Sequence, residues 1–234
     1  VSGTVLILRP EPGASETAAA AQAMGLGVIV APLFTVRALA WEAPDPAGFE
    51  AVLMTSANAA RHGGTQLARF IHLPCYAVGE ASAKAARAAG FADVRAGPGD
   101  GAAAAAMIAG DGIGRALHLC GRDHVALGHA GVTIEQCIVY AAEPAEALPR
   151  AAAGAMAAGA LVLLHSPRAA LLLARFVAER AGIALAAISR AAADAAGEGW
   201  RMKAVAGAPR DEALLELAAK LCQTDPPGGS GADA

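Results

Sequence analysis

Two stretches of this 234-residue chain repeat each other at a fixed distance, and that repeat restricts the folds open to it. Ala51-Val52-Leu53-Met54-Thr55-Ser56-Ala57-Asn58-Ala59-Ala60 reads like Leu161-Val162-Leu163-Leu164-His165-Ser166-Pro167-Arg168-Ala169-Ala170. Tyr76-Ala77-Val78-Gly79-Glu80-Ala81-Ser82-Ala83 reads like Ala186-Ala187-Ile188-Ser189-Arg190-Ala191-Ala192-Ala193. The offset is 110 in both, from Ser56 to Ser166 and from Gly79 to Ser189. Each copy has the form strand, small polar turn, helix, strand, small polar turn, helix. The turns align as well as the alanine-rich helices, so composition alone does not account for the match. Such a chain is α/β, with two similar parallel-sheet lobes and a cleft between them. Open parallel sheets take ligands beyond the carboxyl ends of their strands, where these turns lie.

Short runs of Val, Ile and Leu alternate with alanine-rich stretches, the pattern of parallel strands and crossover helices. Ten strands are predicted, over residues 5–9, 28–31, 51–55, 75–78, 93–95, 116–120, 134–139, 160–165, 185–189 and 203–206. Helices are predicted over 14–24, 57–70, 80–89, 101–109, 123–130, 168–181, 190–197 and 210–222. The last follows Pro209 and opens on Asp211 and Glu212, acids that the helix dipole favours there. Residues 223–234, rich in Pro, Gly and Ser, are predicted to be a disordered tail.

Composition removes several classes. The net charge is −3, from 18 basic and 21 acidic residues, with no basic run, which argues against a nucleic-acid or acidic-membrane surface. Cys75, Cys120, Cys137 and Cys222 form no CxxC pair and no His/Cys ligand spacing, so they read as reduced thiols of a cytoplasmic protein. The alanine-rich stretch 151–164 falls short of the roughly 18 residues that span a bilayer, and Val5-Leu6-Ile7-Leu8 runs straight into Arg9-Pro10 without an export signal. Neither export nor a membrane segment is expected.

No dinucleotide fingerprint, Walker loop, triad or metal set appears, and His124 and His129, five apart, do not share a helical face. His165, at a predicted strand end, reads as a hydrogen-bonded buried imidazole. The chemistry concentrates in the turns: Thr55-Ser56, Gly79 to Ser82, Gly121-Arg122 and Ser166-Pro167-Arg168 each fall where a strand hands over to a helix. Hydroxyls and unpaired N–H groups at helix starts hold carboxylates without a lysine. Each serine or threonine taken singly reads better as a plain helix cap; it is the four turns together that make an anion-binding cleft an equal reading.

Leu8-Arg9-Pro10, Thr55-Ser56-Ala57-Asn58, Tyr76 to Ala83, Val139-Tyr140-Ala141-Ala142-Glu143-Pro144 and His165-Ser166-Pro167-Arg168 together resemble the spaced signatures of uroporphyrinogen-III synthases, from Val5 to about Leu221. The resemblance implies an outer lobe from residues 1–35 and 143–222 and an inner lobe from 37–140, joined by two linkers near 35–37 and 140–143. It implies a cyclising lyase of haem biosynthesis, turning hydroxymethylbilane into uroporphyrinogen III with inversion of ring D and loss of water. No metal or organic cofactor is implied. The partner is a linear tetrapyrrole, with transient contact with hydroxymethylbilane synthase and a monomeric protein expected.

Carried over by position, the family's cleft residues are Thr55, Ser56, Ser82, Tyr140 and Ser166, and Asn58 and Gly79 belong to the same turns. Arg9, Arg122 and Arg168 are the candidates for pairing with the eight substrate carboxylates, since arginine suits bidentate contacts. Where the family often has a Gly-Pro or Ser-Pro turn followed by a hydroxyl residue, this chain has Ser189-Arg190-Ala191-Ala192. Tyr140 is the one side chain assigned to catalysis, as proton donor to the departing hydroxyl, with interlobe packing as its other reading. A free tyrosine with pKa near 10 donates at neutral pH without tuning. Two other classes fit the architecture: a non-catalytic two-lobed binding protein for a small anionic ligand, and a pair of receiver-like or flavodoxin-like modules. The second lacks the acidic cluster that a phosphoacceptor pocket needs.

Overall fold

The computed structural model describes residues 3–224. Along the chain, β1 (Thr4–Ile7), α1 (Gly13–Ala23) and β2 (Gly27–Val30) come first, followed by β3 (Phe34–Ala38). Next are β4 (Ala51–Met54), α2 (Ala57–His62), β5 (Cys75–Ala77), α3 (Glu80–Ala88), β6 (Val94–Ala96), α4 (Gly101–Gly110), β7 (Arg115–Gly121) and β8 (Thr133–Pro144). The rest is α5 (Arg150–Ala157), β9 (Leu161–Leu164), α6 (Pro167–Phe176), β10 (Ala184–Ala187), α7 (Arg190–Ala195), β11 (Met202–Val205) and α8 (Asp211–Thr224). The described residues divide into two compact units: Val36–Ala142, and the residues up to Thr35 with those from Glu143 onward.

The outer unit, made from both chain segments, holds a sheet in the order β11-β10-β9-β1-β2, every neighbour parallel. The inner unit holds β3-β8-β7-β4-β5-β6. β4, β9 and β10 are buried along their whole length, as strands covered on both faces must be, which is why they read as unbroken apolar runs. Val52, Met54, Leu117 and Leu119 face one core layer of the inner unit and Ala51, Leu53, Tyr76 and Ala116 the other, the period-two alternation of a strand. In the outer unit Val5, Ile7, Leu161 and Leu163 pack against Leu214, Leu215 and Ala218 of α8.

Strand register carries the repeat. Met54 pairs with Ala77, and Leu164 with Ala187, both 110 residues further on. At the third strand the offset becomes 109, with Ala77 beside Ala96 and Ala187 beside Val205. The next neighbour in each sheet breaks the sequence order, for β4 is flanked by β7 whereas β9 is flanked by β1 from the far end of the chain. The two sheets therefore share one strand order, β6-β5-β4-β7-β8 against β11-β10-β9-β1-β2, with a circularly shifted connection.

That correspondence locates the main departure from the expected elements. In the outer unit α1 crosses from β1 to β2; in the inner unit residues 122–132, where a helix over 123–130 is predicted, cross from β7 to β8 as irregular chain, with one bridge between His129 and Val132. The segment carries Gly128 and Gly131, the latter at φ +87°, and too few apolar residues to anchor a helix. The segments expected as linkers are strand. β3 covers 35–37 and β8 runs on to Pro144, with Leu39 N–H donating to Val139 O and Ala145 N–H to Leu33 O, an antiparallel pairing.

Among the described residues eleven strands replace the expected ten. The alanine-rich run after Pro149 forms α5, which was not expected. α2 ends at His62 because Gly64 adopts φ +67°, and the chain goes on as a 3-10 turn, Gly64–Arg69. α6 ends at Phe176 rather than 181, where the Arg180 guanidinium donates to the carbonyls of Ala174 and Val177. α8 extends to Thr224, two residues into the expected tail; residues 225–234 lie outside those described.

Candidate active site

A cavity of about 280 Å³ opens at the carboxyl end of the inner sheet, lined by Thr55, Ser56, Gly101, Gly121, Asp123, His124, Val125, Leu127 and Tyr140. It sits beside the irregular crossing that occupies the place of a helix. Leu127 closes the segment onto the start of α4 so tightly that a Cβ on Gly101 would come within 2.8 Å of it.

A bulge sets Tyr140. Cys120 pairs with Ile138 but Gly121 pairs with Tyr140, so one extra residue on β8, Val139, shifts the register and re-aims the ring. The ring lies over Gly121, where a Cβ would meet it at 2.6 Å and its hydroxyl at 2.9 Å, and the His62 ring stands 6.3 Å away, centroid to centroid. Burial, and then the charge of Arg61, hold the His62 pKa below its ordinary value.

Thr55 follows directly on β4, with Oγ1 2.9 Å from His118 Nε2. Ser56 is the N-cap of α2, its Oγ accepting the Asn58 N–H at 3.2 Å. The cap uses the oxygen and leaves the hydroxyl proton available to a ligand. His118 is fully buried on β7, with its pKa pushed down to about 4 by burial and by neighbouring His124. His124 Nδ1 lies 2.9 Å from Gly121 O, to which it donates.

Thr55, Ser56 and Tyr140 are thus brought together. Asn58 adjoins them in α2, and the Arg122 N–H donates to Tyr140 O at 2.9 Å, although neither side chain lines the cavity. Gly79 starts α3 in extended conformation and Ser82, 5% exposed, is buried in that helix; neither lines the cavity.

The remaining expected residues lie in the outer unit. Arg9 donates to Thr17 Oγ1 at 3.2 Å and stands 3.5 Å from Asp211; Thr17 donates to Asp211 at 2.7 Å, and His165 Nε2 lies 2.9 Å from the same carboxylate. Burial would raise Asp211, but the hydrogen bonds from His165 and Thr17 and the charge of Arg9 outweigh it and hold the carboxyl below its ordinary range. Ser166 caps α6 through the Ala169 N–H, and Ser189 caps α7 through the Ala192 N–H. Arg168 is exposed, its guanidinium 4.5 Å from the Phe34 ring centroid.

His118, His124, Thr17 and Asp211 were not singled out as site residues from sequence. The buried pair of Thr55 and His118 joins residues 63 apart through strand neighbours whose pairing no local pattern announces. A second gap, about 20 Å³ at the amino ends of the outer strands beside Cys222, has room for little more than one water.

A model of the family described as Uroporphyrinogen-III synthase HemD matches residues 15–216. The fold is similar to that of uroporphyrinogen-III synthetase from Helicobacter pylori 26695, with a TM-score of 0.65 and 18% identity, over 94% of this chain and 100% of that one. It is also similar to a mutant uroporphyrinogen III synthase from the extremely thermophilic bacterium Thermus thermophilus, with a TM-score of 0.55 and 16% identity, over 95% of this chain and 100% of that one. Among curated protein sequences none matches.

Proposed function

The chain belongs to the uroporphyrinogen-III synthase family, and from that premise we propose that the inner-unit cavity holds the reacting end of hydroxymethylbilane while that cyclising lyase reaction takes place. The cavity, about 280 Å³, is at the lower edge of the roughly 300–1,000 Å³ usual for ligand sites, and so suits part of a tetrapyrrole rather than all four rings.

Pyrrole nitrogen expels the hydroxymethyl oxygen, which leaves as water once protonated. The azafulvenium is attacked by the substituted carbon of ring D, the spiro intermediate fragments, and reclosure with loss of a proton gives the inverted ring. Because the azafulvenium also closes unaided to the uninverted isomer, the protein's task is positioning and water exclusion more than activation. Tyr140 donates the proton to the leaving hydroxyl. Thr55 and Ser56 hold a substrate carboxylate beside it, with Asn58 and the backbone around Gly79, Ser82 and Arg122 as outlying donors. Ser166, Arg9 and Arg168 offer further donors on the outer unit.

The observation that carries this reading is the convergence of the Thr55, Ser56 and Tyr140 side chains on one cavity, beyond the carboxyl ends of a parallel sheet. A coupled assay that makes hydroxymethylbilane in place and separates type III from type I product tests it. The expected result is type III product from the wild type and mostly type I when Thr55, Ser56 and Tyr140 are replaced together in a folded protein; unaltered type III output from that variant would remove the cavity from the reaction.

The reaction is placed in the cytoplasm, which the buried thiols of Cys75, Cys120 and Cys222 suit. Among the described residues no helix is long and apolar enough to cross a membrane. The protein acts as a monomer in transient contact with hydroxymethylbilane synthase, a handover favoured by a substrate that otherwise closes wrongly. Sedimentation of each protein alone and of the mixture during turnover checks both statements.

A further inference from the structure

We propose that His118 is a positioning residue for Thr55: it takes the acceptor side of the Thr55 hydroxyl, so that the hydroxyl proton turns into the cavity and selects a carboxylate of the tetrapyrrole. The inference rests on the assignment of this cavity to the substrate. His118 is fully buried, its Nε2 lies 2.9 Å from Thr55 Oγ1, and its Nδ1 is buried without a hydrogen-bond partner.

A neutral imidazole carries its proton on one nitrogen only. On Nδ1 that proton would be a donor with no acceptor in a dry core, an arrangement rarer than a lone pair left unpaired. The proton therefore sits on Nε2, and the Nε2–H donates to Thr55 Oγ1. Burial, together with the edge of the His124 ring at 6.0 Å between centroids, opposes a second proton on His118 near neutral pH.

The Thr55 hydroxyl cannot return its proton to a nitrogen that is already donating. Its neighbour reaches the same state by another route, because Ser56 Oγ accepts the Asn58 N–H and keeps its own proton to give. Two successive hydroxyls, each engaged by the protein as an acceptor and each left with a proton, form a donor edge at the cavity wall. Such an edge suits the two oxygens of a carboxylate.

The test has one arm read by spectroscopy and one by kinetics. A long-range proton–nitrogen NMR spectrum of the full chain near pH 7 should show the His118 ring protonated at Nε2 and bare at Nδ1; the opposite tautomer overturns the proposal. In the coupled assay Thr55→Val should raise KM for hydroxymethylbilane about threefold to tenfold, the worth of one hydrogen bond, with kcat changed less. His118→Leu should do the same, and the double variant should be no worse than Thr55→Val alone within about twofold. His118→Gln, whose amide N–H reaches the Nε2 position, should recover most of the loss, and His118→Asn, which is too short, should not; that pair decides the matter where the leucine variant does not fold. Additive losses in the double variant, or an unchanged KM in a folded His118→Asn, overturn the positioning role. An unchanged KM in Thr55→Val overturns instead the placement of substrate at this cavity, so the two failures are distinguishable.

Discussion

At the residue scale the catalytic assignment comes down to one ring and the glycine beneath it. Tyr140→Phe should slow turnover by about 10²-fold, the lower end of general acid catalysis, because azafulvenium formation has its own internal push. Steady-state rates beside thermal unfolding check this, and a rate within twofold of wild type would leave Tyr140 as packing only. Gly121→Ala probes the same ring from below, since its new methyl group would have to displace the ring, where a Cβ meets it at 2.6 Å. The expected outcome is a fall in kcat of at least about tenfold with a rise in type I product, while the strand pairing of β7 and β8 persists. Intact thermal stability with unaltered type III output would show that the ring position is not critical. Tyr140 and Thr55 were open to sequence reasoning because both stand in motifs, and Gly121 stood out as part of a strand-end turn, but not as the floor beneath the Tyr140 ring. Its importance comes from a bulge on the neighbouring strand, which has no local signature.

Among the elements, the serine-capped helix starts repeat one device in both units. Ser56, Ser166 and Ser189 accept N–H bonds from Asn58, Ala169 and Ala192. Ser189→Ala should cost about 1 kcal/mol of stability, as a lost cap does, with little change in KM, since Ser189 was not assigned to the substrate. Ser166→Ala should cost the same stability and in addition raise KM modestly, if Ser166 meets a carboxylate as proposed. Chemical denaturation of both variants alongside their kinetics separates the capping cost from the binding cost, and equal kinetic effects would assign both serines to capping alone. The helices and most strands were legible because an apolar period survives in a single stretch of sequence. The crossing at 122–132 is the exception: its outer-unit counterpart is a helix, whereas its own glycines and sparse apolar residues leave a loop that frames the cavity.

On the scale of the whole molecule, stability should fall on mild acidification. His118 has a folded pKa of about 4 against 6.5 in the unfolded chain, so between those values the unfolded state binds the extra proton and gains. The contribution is intact above pH 6.5, declines as pH falls to about 4 and is exhausted below that; its full size is on the order of 3 kcal/mol. Asp211, held below the ordinary carboxylate range, adds to the loss at lower pH. Unfolding free energies measured from pH 7 to pH 4 should drop more steeply in wild type than in His118→Gln, and parallel curves would show that His118 is not buried neutral. The sequence alone determined that this chain makes two α/β units with polar turns at strand ends, because repeat, apolar run and turn chemistry are local and act wherever the segment lies. Only the tertiary structure decided that β1 from the chain's opening stands beside β9, that the crossings through β3 and β8 are paired strand, and that His118 meets Thr55. Those contacts join residues far apart along the chain, and what selects them is the burial of whole sheet faces and the pairing of every backbone group, which no short window of sequence contains.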